Sequence, residues 1–173
     1  STFFVVGLRE TWINIVVNNV LYGQLPMAII TTNGNGTILV SLNGRTEKYN
    51  IPNGRCELKF DTYYDPGTYY ISVNYVQDNY YSFATNETNF NVSKINTTID
   101  AVATNITFGE NETITVTVNN TAIGYLAIRI GSQVYVGVIN NGIANFNIPG
   151  LADGTYDAVV TFPGDVHFNA NST

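Results

Sequence analysis

Charged residues and cysteine are scarce in this sequence. Only 12% of its 173 residues are Asp, Glu, Lys or Arg, about half of the usual roughly 25%. A single cysteine excludes an internal disulfide framework. Seven Lys and Arg against thirteen Asp and Glu leave no basic surface for phosphates, so we expect no nucleic-acid partner. No run approaches 18 consecutive apolar residues, so we also expect no membrane span.

Residues with catalytic or metal-binding chemistry are few and scattered. His167 is the only histidine, and one histidine without companions predicts neither a zinc site nor a catalytic triad. Cys56 alternates with Leu58 and Phe60, which is typical of a small core residue on a strand. No nucleophile motif, phosphate-binding loop or zinc spacing occurs. We therefore expect a protein that is not an enzyme and that uses no cofactor.

Uncharged polar residues take the place of the missing charges, with 24 Asn and 21 Thr in the chain. This composition contains eight acceptor patterns for N-linked glycans, Asn-x-Ser/Thr, where chance would give roughly four. Their density predicts a secreted, glycosylated surface protein from which a signal peptide has been removed. The predicted glycosylation sites are Asn35, Asn86, Asn91, Asn96, Asn105, Asn111, Asn119 and Asn171.

The sequence contains an internal repeat of about 87 residues. Gly67-Thr68-Tyr69 recurs as Gly154-Thr155-Tyr156 at an offset of 87, and Asn53-Gly54 recurs as Asn141-Gly142 at an offset of 88. Such landmarks keep one order and nearly constant spacing, which indicates two copies of one domain. We predict domains at residues 8–94 and 95–173, preceded by a separate segment at residues 1–7.

Each copy consists of short runs of β-branched and aromatic residues, and no segment has a helical period. Asn43-Gly44 predicts a two-residue type I′ hairpin turn, in which both central residues need positive φ. Asn53-Gly54 and Asn141-Gly142 are expected to form the same kind of turn one strand later. The predicted strands are 12–17, 27–32, 38–43, 45–50, 55–60 and 69–76 in the first copy, and 113–118, 125–130, 133–138, 143–148 and 155–161 in the second.

The segment 65–69 reads Asp-Pro-Gly-Thr-Tyr, the D-x-G-x-Y pattern of the tyrosine corner of immunoglobulin-like domains. Ile71 and Ala158 stand where true immunoglobulin domains place a cysteine, so apolar packing closes the core. The second copy, from Asn141-Gly142 through Ile148-Pro149-Gly150 to Phe162-Pro163-Gly164-Asp165, resembles Ig-like repeats of archaeal and bacterial adhesin-like surface proteins. The resemblance implies two tandem immunoglobulin-like β-sandwiches in an adhesive or scaffolding protein.

The repeat also predicts an imbalance of strands. The first copy ends in a strand at 88–94 with Phe90 and Val92 on one face, and its counterpart would occupy roughly residues 175–181. We therefore expect the second sandwich to lack its last strand and to present an acceptor groove. The segment 2–6 can be laid over 89–93, with Phe3 on Phe90 and Val5 on Val92, which makes it a candidate donor strand. The predicted donor residues are Thr2, Phe3, Phe4, Val5, Val6 and Gly7, where Gly7 is the hinge.

A strand donated from a neighbouring copy would make a head-to-tail homopolymer, that is, an extracellular filament at the cell surface. In composition and architecture the chain resembles the subunits of archaeal thread filaments from Sulfolobus-like organisms, which implies donor-strand complementation. Two alternatives remain open for the first segment: a cut through a longer array of repeats, or a strand folded back within the same chain. The alternative function is an Ig-like fragment of a long adhesin that binds a cell or a carbohydrate, with the tyrosines between Tyr63 and Tyr81 as a sugar platform.

Overall fold

The computed structural model describes all residues from Ser1 to Thr173 and is entirely β-structure, with fifteen strands and no helix. The chain divides into two compact units, Ser1–Ser93 (unit 1) and Lys94–Thr173 (unit 2). Each unit has its own hydrophobic core. No helix of a length and hydrophobicity suited to crossing a bilayer is present. The predicted all-β fold of two sandwiches is therefore confirmed.

Unit 1 contains two sheets that face each other across a core of alternating strand residues. The three-stranded sheet has the order β1-β3-β6, and the five-stranded sheet has the order β2-β8-β7-β4-β5. This is the strand order of an immunoglobulin-like sandwich, with β8 as the last strand. The strands are β1 Ile13–Val17, β2 Val20–Leu21, β3 Met27–Thr32, β4 Thr37–Leu42, β5 Arg45–Asn50, β6 Arg55–Lys59, β7 Gly67–Val76 and β8 Ala84–Ser93.

Unit 2 repeats this order with a smaller second sheet. Its sheets have the orders β13-β10-β9 and β12-β11-β14-β15. The last strand, β15, has two residues, whereas its counterpart β8 has ten. The strands are β9 Ile99–Val102, β10 Glu112–Val118, β11 Tyr125–Ile130, β12 Gln133–Val138, β13 Ile143–Ile148, β14 Ala158–Phe162 and β15 Asn171–Ser172.

The strands of unit 1 follow the predicted alternation. Along β7, Ile71, Val73 and Tyr75 are fully buried while Tyr70 and Val76 are exposed, as the pattern predicts. In the structure β7 begins at Gly67 and β8 begins at Ala84, earlier than predicted. The reason is that the two strands pair from Gly67↔Val92 to Tyr75↔Ala84. Three short strands, β2, β9 and β15, were not predicted, since none is long enough to show a period of its own.

One predicted turn is wrong. Asn43-Gly44 and Asn141-Gly142 have the positive φ angles that a type I′ turn needs, 51° and 78° in the first and 49° and 75° in the second. Asn53 does not; in that turn only Gly54 has positive φ, at 65°. The reason is Pro52, whose ring holds its φ near −65° and so favours the second position of a turn that starts at Ile51. A hydrogen bond from the Gly54 N–H to the Ile51 carbonyl, at 3.1 Å, closes this turn.

Both units keep the tyrosine corner that the sequence predicts. The Tyr69 hydroxyl donates to the backbone carbonyl of Asp65 at 2.8 Å, and the Tyr156 hydroxyl donates to that of Ala152 at 2.9 Å. Each bond spans four residues and ties the loop to the following strand. It satisfies a backbone acceptor that the loop would otherwise leave to solvent.

The loop that follows β7 or β14 is also built in the same way twice. The carboxylate of Asp78 accepts the backbone N–H groups of Tyr80 and Tyr81, both at 2.7 Å. Asp165 accepts those of His167 and Phe168, both at 2.8 Å. These side-chain turns explain why an aspartate followed by an aromatic residue recurs at this point of the repeat.

Candidate functional site

The candidate site is the place in unit 2 where the last strand of the sandwich would lie. In unit 1, β8 pairs with β7 from Gly67↔Val92 to Tyr75↔Ala84. In unit 2, β15 pairs with β14 at Thr161↔Ser172 and Phe162↔Asn171, and Thr173 exchanges two backbone hydrogen bonds with Val160, both at 3.0 Å. These two pairs are the counterparts of the first pairs of β8, because Phe162 and Asn171 stand 87 residues after Tyr75 and Ala84. On the N-terminal side of Val160, the edge of β14 that faces away from β11 pairs with no strand among residues 1–173.

In unit 1, β8 inserts two side chains between the sheets. Phe90 is fully buried and Val92 is 4% exposed. The Phe90 ring stacks on Tyr69 with centroids 5.6 Å apart and meets Tyr64 edge-on at 6.0 Å. These apolar contacts close one end of the core of unit 1.

The same strand also binds the segment around β2. Val20 and Leu21 pair in parallel with Val92 and Ser93. The side-chain oxygen Oδ1 of Asn19 accepts the backbone N–H of Asn91 at 2.8 Å. β8 is therefore bonded on one edge by β7 and, over residues 91–93, on the other edge by β2 and its neighbours.

In unit 2 the corresponding space is an open groove with a cavity of about 430 Å³. Its floor is apolar, formed by Ile114, Ile130 and Ala158, and one wall carries the buried carboxylate of Glu112. Glu112 accepts the backbone N–H of Thr104 at 3.1 Å, so it belongs to the wall of the groove. The remaining lining residues are 103–108 and 151–156.

Side chains that β8 covers in unit 1 are uncovered in unit 2. Phe108, the counterpart of the half-buried Tyr22, is 81% exposed. Tyr156, the counterpart of Tyr69, is 43% exposed. Ile106 is half-buried, whereas its counterpart Val20 is buried. The groove is therefore a cleft with an apolar floor, next to the part of β14 that has no neighbouring strand on that side.

The predicted donor segment lies outside all four sheets. Residues 1–8 form no strand, and Phe3, Phe4, Val5 and Val6 are each 84–89% exposed. Four consecutive exposed hydrophobic residues are unusual on a surface in contact with water, which makes this segment a candidate for interaction. Thr2 and Gly7 are exposed as well.

The eight predicted glycosylation sites lie at the surface, with one exception. Seven of the asparagines are exposed, while Asn119 is half-buried and accepts the N–H of Thr98 through Oδ1 at 3.0 Å. Asn105 lines the groove. The side-chain nitrogens of Asn86 and Asn171 donate to backbone carbonyls, at 2.8 and 2.7 Å. Glycosylation of all eight stays a prediction.

The isolated reactive residues form no site. Cys56, predicted to lie in the core, is half-buried at its margin, and burial raises the pKa of its thiol. His167 lies in the Asp165 turn. No group of three or more His, Cys, Asp or Glu side chains comes together anywhere in the chain. The roles of residues 2–7 as donor and of the groove as acceptor stay predictions. The sequence analysis did not identify Phe108 and Asn105 as groove residues; the available signal was their offset of 86 from Tyr22 and Asn19.

No protein-family model and no curated protein matches the sequence. Among solved structures, the chicken interferon gamma receptor alpha chain is 11% identical, with a TM-score of 0.39 and 86% of each chain covered. The FN1–FN3 domains of chicken CNTN1 are 12% identical, with a TM-score of 0.30 over 91% of this chain and 62% of that one. Latent PorU from Porphyromonas gingivalis is 13% identical, with a TM-score of 0.35 over 94% of this chain. The present chain spans 20% of the PorU chain. The immunoglobulin-like assignment rests on the strand order and not on these similarities.

Proposed function

We propose that this chain is a structural, non-enzymatic subunit of an extracellular cell-surface filament, in which copies join head to tail by donor-strand complementation. The observation that carries the proposal is the difference between the two units. The groove that β8 fills in unit 1 is open in unit 2, and an exposed apolar segment of strand-like sequence lies at residues 1–8.

The energetics favour such a joint. An open sandwich leaves a row of N–H and C=O groups unpaired beside apolar walls. Burying one large apolar side chain of the donor stabilises the joint by roughly 1.5–3 kcal/mol, and each new backbone hydrogen bond contributes about 1 kcal/mol. Donation from a different copy is a head-to-tail contact that does not close, so repeated donation produces a filament.

The surface of the chain fits an extracellular filament. The exposed acceptor asparagines would carry glycans that shield sheet edges from other strands and from proteases. The immunoglobulin-like fold is compatible with a surface or adhesin-like module. The resemblance to subunits of archaeal thread filaments adds the finer part of the proposal, which is a pilus-like filament of an archaeal cell with a role in adhesion or biofilm.

The proposal is tested by comparing the full chain with a variant that lacks residues 1–7. We expect the full chain to form thin filaments in negative-stain electron microscopy and to elute as polymers of increasing size in size-exclusion chromatography with light scattering. The variant should be monomeric with both units folded, because residues 1–7 belong to none of the four sheets.

A synthetic peptide of residues 1–8, added to the truncated variant, tests the same joint in the opposite direction. It should bind the truncated chain and raise the melting temperature of unit 2. A full chain that stays monomeric at high concentration, or polymers that survive the truncation, would contradict the proposal. A monomer with carbohydrate affinity would favour the adhesin fragment instead.

A further inference from the structure

The structure shows which residue near the start of unit 1 is equivalent to which residue near the start of unit 2. Arg9 forms an isolated parallel bridge with Tyr81, and Ile95 forms the same bridge with Phe168. In each case the backbone N–H donates to the residue before the bridge partner, at 2.8 and 2.9 Å, and the carbonyl accepts from the residue after it, both at 2.9 Å. Arg9 and Ile95 are therefore equivalent positions, 86 residues apart.

The offset stays at 86 through the first strands of each unit. The hydroxyl of Thr11 donates to the Ser82 carbonyl at 2.6 Å, and that of Thr97 donates to the Asn169 carbonyl at 2.5 Å. In the strands that follow, Ile13 pairs with Thr32, and Ile99 pairs with Val118. Each residue of the second pair lies 86 residues after its counterpart in the first pair, so the two copies align here without an insertion or deletion.

Carried back across Ile95, the same offset aligns the donor segment with β8. Positions 88, 90 and 92 correspond to 2, 4 and 6, and the residues are identical: Thr88 and Thr2, Phe90 and Phe4, Val92 and Val6. The alignment expected from the sequence placed Phe3 on Phe90, one residue away. The doublets Phe3-Phe4 and Val5-Val6 present Phe and Val to the core in either register, so the sequence of the segment does not distinguish them.

We infer that Phe4 and Val6 of one copy enter the groove of unit 2 in the next copy, and that Phe3 and Val5 face outwards. This inference rests on the donor-strand function proposed above and specifies the register of the joint. A one-residue change of register reverses the face of every side chain, so the two registers put different residues in the core.

Two features of unit 2 accommodate this register. Thr173 is the counterpart of Asn86 and Ser1 is that of Glu87, so the donated strand would start at the position directly after Thr173 and would not compete with β15. Asn105 is the counterpart of Asn19, whose Oδ1 accepts the N–H of Asn91. In the same register, Oδ1 of Asn105 accepts the N–H of Val5.

Four single variants of the full chain test the inference: Phe3→Asp, Phe4→Asp, Val5→Asp and Val6→Asp. Phe3→Asp is the matched control for Phe4→Asp, and Val5→Asp is that for Val6→Asp. Polymer formation is followed by light scattering and electron microscopy, and folding by circular dichroism. Phe4→Asp and Val6→Asp should weaken association at least about 100-fold, because each puts a carboxylate into an apolar groove. Phe3→Asp and Val5→Asp should weaken it less than about threefold, because their side chains remain in water.

The outcomes separate the register from the proposed function. Sensitivity at Phe3 and Val5 with tolerance at Phe4 and Val6 would overturn the register while the donor-strand joint stands. Equal loss in all four variants would also overturn it, since the strand would then have no inward face. Polymers indifferent to all four substitutions, or no polymer from the unchanged chain, would overturn the proposed function and the register together.

Discussion

Units 1 and 2 contain the same tripeptide in two different structures. Gly67-Thr68-Tyr69 belongs to β7, whereas Gly154-Thr155-Tyr156 lies outside any strand and β14 begins only at Ala158. The difference is the partner: residues 67–69 pair with β8, and residues 154–156 have no strand beside them. The comparison indicates that this tripeptide joins a strand where a neighbouring strand pairs with it, and remains outside the sheet where none does.

The tyrosine corners show which part of the structure does not need that neighbour. Tyr69 and Tyr156 make the same hydrogen bond to the carbonyl four residues earlier, although only Tyr69 is stacked on Phe90. A bond within one loop forms from local geometry alone. The extension of the strand and the closure of the core need a strand from elsewhere in the sequence.

The largest expected effect comes from making unit 2 resemble unit 1. A chain with a second copy of residues 1–8 fused directly after Thr173, and with the original residues 1–7 removed, should fill its own groove. We expect monomers in place of polymers and a melting temperature of unit 2 raised by roughly 10–20 °C, because two apolar side chains become buried. Calorimetry and light scattering provide the two measurements.

The same fusion carrying aspartates at the Phe4 and Val6 positions is its control. It should melt at the temperature of the chain that lacks residues 1–7. If the control gains as much stability as the unaltered fusion, the groove does not recognise these side chains.

A smaller effect is expected from making unit 1 resemble unit 2. Phe90→Ala removes the fully buried ring between Tyr64 and Tyr69 and should lower the free energy of unfolding of unit 1 by about 3–5 kcal/mol. Trp12, the single tryptophan, lies in unit 1, so its fluorescence in a urea titration reports this unit separately. Phe83→Ala is the matched control, since Phe83 is largely exposed and should change stability by less than about 0.5 kcal/mol. Equal losses in both variants would show that β8 is not anchored by Phe90.

The smallest effect concerns acid, where both units should respond alike. A hydrogen bond from the Tyr75 hydroxyl and two backbone N–H groups lower the pKa of Asp78. Partial burial acts to raise the pKa of Asp165, but three backbone N–H groups outweigh it and lower the pKa overall. Since the folded pKa lies below the unfolded value of about 3.9, this stabilisation is present above that pH and is lost as the pH falls through the folded pKa.

We therefore expect the melting temperature to fall between pH 7 and pH 2, by less than about 20 °C, because the chain has few charged residues and only two ion pairs. The variant Asp78→Asn with Asp165→Asn should show a flatter dependence between pH 5 and pH 2, measured by thermal melts followed by circular dichroism. Asp153→Asn, at an exposed loop position, is the control and should retain the original slope. A fall larger than about 20 °C would point to acid-sensitive contacts elsewhere.

Much of this architecture could be predicted from the sequence, because a β-strand with one buried face shows alternating apolar and polar residues. Alternate residues of the predicted strand 69–76, Ile71, Val73 and Tyr75, are fully buried, and the tyrosine in the Gly-Thr-Tyr of each copy makes the tyrosine-corner bond. The wrong prediction of the turn at Asn53-Gly54 has a local physical cause. Asn53 was assigned positive φ because its dipeptide resembles a hairpin turn, but the neighbouring Pro52 imposes another geometry.

The sequence by itself determined the repeat, the fold class and the presence of an apolar segment ahead of the first unit, since these depend on local pattern and spacing. Only the tertiary structure decided where β7 and β14 begin, which side chains line the open groove, and that position 9 is equivalent to position 95. The start of β7 depends on its pairing with β8, as in Gly67↔Val92. The equivalence of positions 9 and 95 depends on hydrogen bonds between residues more than 70 positions apart, those of Arg9 with Tyr80 and of Ile95 with His167. Alternation along one strand reports which face is buried, but it carries no information about the strand that covers it.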